Sequence, residues 1–79
     1  MTNLEKYDAA FAETLEAPQD ELAGLTYLGV DAWDSVGHME LISALEDAFD
    51  IEMETDDIVD FSSYEKGKEI LAEKYHIKF

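Results

Sequence analysis

The sequence predicts an all-α fold, a small four-helix bundle of three main helices and one short helix. Apolar residues recur at helical spacing in three segments, and capping signals stand at the start of these segments. Alternation of polar and apolar residues is too short anywhere to predict a strand. Because the chain has 79 residues, we expect residues 1–79 to form one domain.

The first helix is predicted between Thr2 and Pro18. Thr2 and Glu5 have the spacing of a capping box, and Pro18 ends the helical pattern. Its apolar residues are Leu4, Tyr7, Phe11 and Leu15. Residues 18–33 show no hydrophobic periodicity but contain scattered leucines, so we expect an ordered loop that packs on the core.

The second helix is predicted from Ser35 to about Phe49, with Asp34 as its N-cap. It carries the strongest helical pattern in the chain. The stripe expected to face the core consists of Val36, Met39, Ile42, Leu45 and Phe49.

Two further helices are predicted after residue 54. Thr55, followed by Asp56 and Asp57, indicates the start of a short helix that carries Ile58, Val59 and Phe61. Ser62 and Glu65 have capping-box spacing and open the last helix. Gly67 costs about 1 kcal/mol inside a helix relative to alanine, so it predicts close packing against a neighbour.

The charge is strongly acidic. Twenty Asp and Glu residues stand against five lysines and no arginine, a net charge of −15, and no lysine lies between Lys6 and Lys66. Such a field repels nucleic acid and anionic lipid and favours proteins with basic faces. With no cysteine, no signal sequence and no membrane-length apolar run, we expect a soluble cytoplasmic monomer.

The sequence contains no convincing motif for a catalytic site or a metal site. Ser35 has His38 as its nearest candidate base, but no oxyanion motif accompanies them and the chain is too small to enclose a substrate. We expect His38 to be solvent-exposed on its helix. Calcium-loop registers starting at Asp31 or Asp50 lack the glycine at position six and the glutamate at position twelve. We therefore predict no catalytic residue and no metal site.

Ser35 in the first turn of a helix has two interpretations. It can share the capping role of Asp34. Alternatively, the unpaired amides and the positive end of the helix dipole would stabilise a phosphate ester on its hydroxyl.

The segment "GVDAWDSVGHMELISALEDAFDIEM" resembles the acyl carrier protein family, whose hallmark is Asp-Ser-Leu at the start of the second helix. Here the triplet is Asp34-Ser35-Val36, and the helix order matches over nearly the whole chain. The resemblance implies that a phosphopantetheinyl transferase attaches 4'-phosphopantetheine from coenzyme A to Ser35. The thiol of this arm would hold acyl groups as thioesters in fatty-acid, polyketide or related lipid biosynthesis.

The resemblance also implies partner and cargo surfaces. The partners would be acyl-transfer, condensing or ligase enzymes with basic docking faces. The residues implied for docking are Asp34, Met39, Glu40, Glu46, Asp47, Asp50, Asp56, Asp57 and Asp60. The residues implied for an acyl cavity are Val36, Ile42, Leu45, Ile58, Phe61 and Ile70.

Some residues depart from the family pattern. Val36 replaces the usual leucine, and Trp33, Gly37 and His38 are more typical of a specialised stand-alone carrier. We expect Trp33 to anchor the loop to the core, although it could also pack against the arm. An aminoacyl, peptidyl or D-alanine carrier is an alternative, and an acidic helical interaction module without a cofactor is another. Residues 76–79 have no assigned role.

Overall fold

The computed structural model describes residues 2–79, and within them it contains helices and no strand. The all-α prediction is confirmed. The α-helices are α1 (Asn3–Leu15), α2 (Ser35–Phe49), α3 (Thr55–Asp60) and α4 (Tyr64–Lys74), and a 3₁₀ helix spans Gln19–Gly24.

Helix α1 begins with the predicted capping box. The Thr2 hydroxyl accepts a hydrogen bond from the Glu5 amide at 3.1 Å, and the Glu5 carboxylate accepts one from the Thr2 amide at 2.9 Å. The Thr2 amide, and after it the Thr2 hydroxyl, hold the pKa of Glu5 below its ordinary value, because hydrogen bonds to the carboxylate favour its ionised form. The residues of α1 that are buried in the core are Tyr7, Ala10, Phe11 and Leu15.

A closed aromatic region joins α1 to α4. The ring centroids of Tyr7, Phe11 and Tyr64 lie within 5.2 Å of one another. The Tyr7 hydroxyl also donates to the Tyr64 carbonyl at 2.6 Å. Burial raises the pKa of Tyr7, because the phenolate would lose its hydration. A Cβ on Gly67 would clash with the Phe61 ring and the Tyr7 hydroxyl, so the prediction of close packing at Gly67 is confirmed.

The loop between α1 and α2 is ordered, as predicted. Leu22, Leu25 and Trp33 are buried in the core. Leu25 also accepts a backbone hydrogen bond from Tyr64 at 3.0 Å, and the Tyr27 amide donates to the Ser62 carbonyl at 2.9 Å. The loop is therefore tied to the start of α4.

The start of α4 differs by one residue from the prediction. Ser63, not Ser62, is the N-cap, and its hydroxyl accepts from the Lys66 amide at 3.0 Å. The carbonyl of Ser62 is engaged by the loop through Tyr27, in extended pairing that precedes the helix.

The predicted inward stripe of α2 is wrong at its first two positions. Val36 is 67% exposed and Met39 is 52% exposed. Successive residues of the predicted stripe are mostly three positions apart, and three residues rotate about 60° less than a full turn of the helix. The residues of such a stripe therefore do not stay on one face of the helix. The buried face instead follows four-residue steps and contains Gly37, Leu41, Leu45 and the neighbouring Ile42.

The last residues pack beside α1. The Asn3 amide group donates to the Lys78 carbonyl at 2.9 Å. The Phe79 ring lies 5.1 Å from that of Tyr7 and 6.2 Å from that of Phe49. Across residues 2–79, no helix combines the length and the apolar character needed to span a bilayer.

Candidate functional site

Ser35 is the first residue of α2 and is exposed. The cap of the helix is Asp34, whose carboxylate accepts from the Gly37 amide at 2.8 Å. Because Asp34 supplies this cap hydrogen bond, the Ser35 hydroxyl is not needed for it. The side chain at position 35 is thus accessible from solvent at the amino end of α2.

Gly37 and Trp33 pack the start of α2 against the preceding loop. A Cβ on Gly37 would collide with the carbonyl oxygen of Ala32, so the helix lies directly on the loop backbone at this point. Trp33 is completely buried, which agrees with the prediction that it anchors the loop to the core. Its burial leaves no face of the indole for an arm attached at Ser35.

His38 is half-buried, and the prediction of a solvent-exposed histidine is wrong. Its Nδ1 accepts a hydrogen bond from Nε1 of Trp33 at 2.9 Å, and its Nε2 lies 2.8 Å from the Ile58 carbonyl oxygen. Since the indole N–H can only donate, Nδ1 is unprotonated and Nε2 carries the hydrogen that is donated to Ile58. Both ring nitrogens are engaged away from Ser35, so His38 is not placed as its base.

An open apolar groove lies beside Ser35, between α2 and α3. Its volume is about 420 Å³. The ring of His38 lies 5.4 Å from that of Tyr27 and 6.0 Å from that of Phe61, both edge to face. We call it the Ser35 groove; it is lined by Tyr27, Ser35, His38, Met39, Ile58, Val59, Phe61 and Ser62.

Sequence reasoning missed part of this lining. Tyr27 and Ser62 come from segments without helical period, and the loop-to-α4 pairing that brings them together has no local sequence signal. A second, shallower depression on the outer side of α2 also includes Ser35, together with Val36, Glu40 and Ser43. Ser35 therefore stands between two depressions.

The residues predicted for an acyl cavity are divided by the structure. Ile58 and Phe61 line the Ser35 groove. Val36 lies on the outer side of α2, so it cannot line an internal cavity. Ile42, Leu45 and Ile70 belong to the packed core and are nearly inaccessible to solvent.

The acids predicted for docking are mostly at the surface. Glu46 is half-buried, and its carboxylate accepts from the Met53 amide at 2.9 Å, so it also ties the segment after α2 to that helix. Met39 is exposed and borders the Ser35 groove. The exposed acids of the predicted set are Asp34, Glu40, Asp47, Asp50, Asp56 and Asp60.

Asp57 does not belong to that surface, and its prediction as a docking residue is wrong. It is only 2% exposed, and its carboxylate accepts from Lys74 Nζ and from the Tyr75 hydroxyl, each at 2.6 Å. The Tyr75 hydroxyl accepts in turn from the Glu54 amide at 2.8 Å. The hydrogen bonds from Lys74 and Tyr75 hold the pKa of Asp57 below its ordinary value. Asp57 therefore fastens α3 to the end of α4, through partners 17 and 18 residues away that no helical period relates.

Comparison with known proteins gives no match: no family model matches the chain, and no curated protein or solved structure matches it significantly. Among residues 2–79 there is also no group of three acidic or histidine side chains arranged to hold a metal ion.

Proposed function

We propose that the protein is an acyl carrier protein, modified with 4'-phosphopantetheine on Ser35. The observation that carries the proposal is an exposed serine at the first position of α2, preceded by a capping aspartate and bordered by an apolar groove. The resemblance of Asp34-Ser35-Val36 and the surrounding acidic helix to the carrier family supports the same assignment.

The exposed position of Ser35 suits modification by a separate enzyme. The Ser35 oxygen would form a bond to the phosphorus of coenzyme A that bears pantetheine, while the pyrophosphate bond to that phosphorus breaks. Adenosine 3',5'-bisphosphate leaves, and the hydroxyl proton passes to a base of the transferase. A base from the transferase is required because the nitrogens of His38 bond Trp33 and Ile58. When bound, the arm supplies a thiol that forms thioesters, a group that this cysteine-free chain otherwise lacks.

The surface around Ser35 suits brief docking to basic enzymes that transfer, condense or ligate acyl groups. Exposed apolar side chains stand there among carboxylates, since Val36, Met39 and Val59 are all exposed. Exposed ion pairs are each worth about 0–1 kcal/mol, and such weak contacts allow a carrier to leave each partner rapidly. The docking residues of this proposal are Asp34, Met39, Glu40, Glu46, Asp47, Asp50, Asp56 and Asp60, without Asp57.

Intact-mass spectrometry tests the modification. The native chain, incubated with coenzyme A and a broad-range phosphopantetheinyl transferase, should gain the mass of one phosphopantetheine group. Ser35→Ala should gain nothing, whereas Ser43→Ala, which removes another exposed serine of α2, should be modified like the native chain. No gain on the native chain would contradict the proposal and would favour an acidic interaction module. A positive result leaves fatty-acyl, polyketide, aminoacyl and D-alanine cargo to be separated by loading assays.

A further inference from the structure

His38 connects three separate parts of the chain at the base of the Ser35 groove. Its ring accepts from Trp33 in the loop and donates to Ile58 in α3, while its backbone belongs to α2. The two ring planes are nearly parallel, with 17° between them and 6.2 Å between ring centroids, because the hydrogen bond joins the rings edge to edge. Each bond spans two elements, so His38 holds α3 and the loop against the first turns of α2.

The layer beneath His38 is fully packed. Phe61, which forms the groove wall with His38, is 1% exposed. Leu41 and Leu45 on the inner face of α2 have no exposed surface. A group tethered at Ser35 therefore meets the edges of aromatic rings and finds no open passage between α2 and α3 into the core.

We propose that His38 is a specificity-determining residue, which closes the route from the Ser35 groove into the core and so confines a tethered group to the groove. The groove then favours a short apolar group or a single aromatic ring. For the biological cargo this inference rests on the proposed carrier function. The confinement itself depends only on what is tethered at position 35.

The size and the lining of the groove support a small occupant. Its volume of about 420 Å³ lies near the lower end of the range of roughly 300–1,000 Å³ for small-molecule sites. The rings of Tyr27, His38 and Phe61 offer edges and faces to an aromatic ring. A long alkyl chain would extend beyond the groove, where its additional methylenes stay in water and contribute no stabilisation.

A tether that needs no transferase tests the confinement. Because the chain has no cysteine, Ser35→Cys creates one alkylation site. Its thiolate sulfur displaces iodide from N-benzyl-, N-butyl- or N-hexadecyl-iodoacetamide and forms a carbon–sulfur bond, with iodoacetamide itself as the control. We expect the benzyl and butyl groups to raise Tm by about 4–8 °C over the control. The hexadecyl group should give no greater rise than butyl, and NMR shifts should concentrate at Tyr27, Val59 and Phe61.

The His38→Ala variant of the same protein removes the closing ring. We expect the hexadecyl group to raise the Tm of this variant above that of its butyl form. The His38→Gln variant keeps one donor and one acceptor, so its hexadecyl form should have no higher Tm than its butyl form, as in the protein with His38. Comparing tethers within each variant cancels the cost of the substitution itself. If His38→Ala does not fold, the comparison of butyl and hexadecyl tethers in the protein that keeps His38 still decides whether a tethered group is confined to the groove.

Three outcomes would overturn the inference: a hexadecyl group that stabilises the His38 protein well beyond butyl, no stabilisation by any tether, or a folded His38→Ala protein in which hexadecyl stabilises no more than butyl. None of these outcomes bears on the coenzyme A reaction. A missing mass gain in that reaction would contradict the carrier function alone, since alkylation bypasses the transferase.

Discussion

Two aromatic regions of this small protein differ sharply in accessibility. Around Gly67, the ring of Tyr7 is fully buried and its hydroxyl donates to a backbone carbonyl. Beside Ser35, Tyr27 is 37% exposed although it also packs edge to face. The distance between packed helices depends on the side chains at the contact. Glycine at position 67 lets α4 approach the Tyr7 hydroxyl and the Phe61 ring closely, whereas Met39 and Val59 border a groove between α2 and α3 that stays open. Aromatic content alone therefore does not separate core from site.

The largest expected effect tests the two faces of α2. Leu41→Ala removes a fully buried side chain from the closed side and should cost about 2–5 kcal/mol in the free energy of unfolding. Val36→Ala, on the exposed side, should change it by less than about 0.5 kcal/mol. Chemical denaturation measures both. Equal losses would mean that α2 is rotated relative to the face described.

Gly67→Ala tests the tight packing of the closed region. The new methyl group meets Phe61 and the Tyr7 hydroxyl, so overpacking should destabilise the fold by about 1–3 kcal/mol despite the better helix propensity of alanine. Gly24→Ala is the matched control, because no atom other than those of its own neighbours along the chain lies within 4 Å of the added Cβ. Thermal unfolding should show a lower Tm for Gly67→Ala only. A stabilised Gly67→Ala would show that the contact between α1 and α4 is loose.

Asp57→Asn tests the link between α3 and α4. Losing the charge that faces Lys74 should cost about 1–3 kcal/mol at pH 7, whereas Asp56→Asn at an exposed site should be nearly neutral.

The pH dependence of the Asp57 link has a definite sign. The folded-state pKa of Asp57 is lowered, so its stabilising contribution is complete above the unfolded value of about 3.9 and is lost as pH falls below it. The gap in unfolding free energy between the native chain and Asp57→Asn should therefore narrow below about pH 4. A gap that is constant with pH would contradict this assignment.

The smallest expected effect separates Asp34 from Ser35. Asp34→Ala removes the hydrogen bond to the Gly37 amide and should cost about 0.5–2 kcal/mol. Ser35→Ala should leave Tm almost unchanged, because its hydroxyl is not the cap. A loss at Ser35 equal to that at Asp34 would restore the capping interpretation of the serine and weaken the attachment proposal.

The sequence predicted the elements that depend on local signals. The capping box of α1, the N-cap Asp34, the short helix α3 and the close packing at Gly67 follow from spacings of a few residues. The roles of His38 and Asp57 were not predictable, because their partners lie 20 and 17 residues away and are set by tertiary packing. The face of α2 was misjudged because Val36 and Met39 are apolar yet exposed. Ser35 was identified as the candidate site through the resemblance of Asp34-Ser35-Val36 to the acyl carrier motif, because its place at a helix start also allowed a capping role. Tyr27 and Ser62 of its groove needed the fold.

The contact of Gly37 with the Ala32 carbonyl sets how far the amino end of α2 can diverge in evolution. A mutational library over this turn should accept many residues at position 36, where the side chain faces water. At position 37 it should retain almost only glycine, since any side chain would lift the helix from the loop. A diverging lineage could thus vary the exposed side chain at position 36 while the residue beside it stayed fixed.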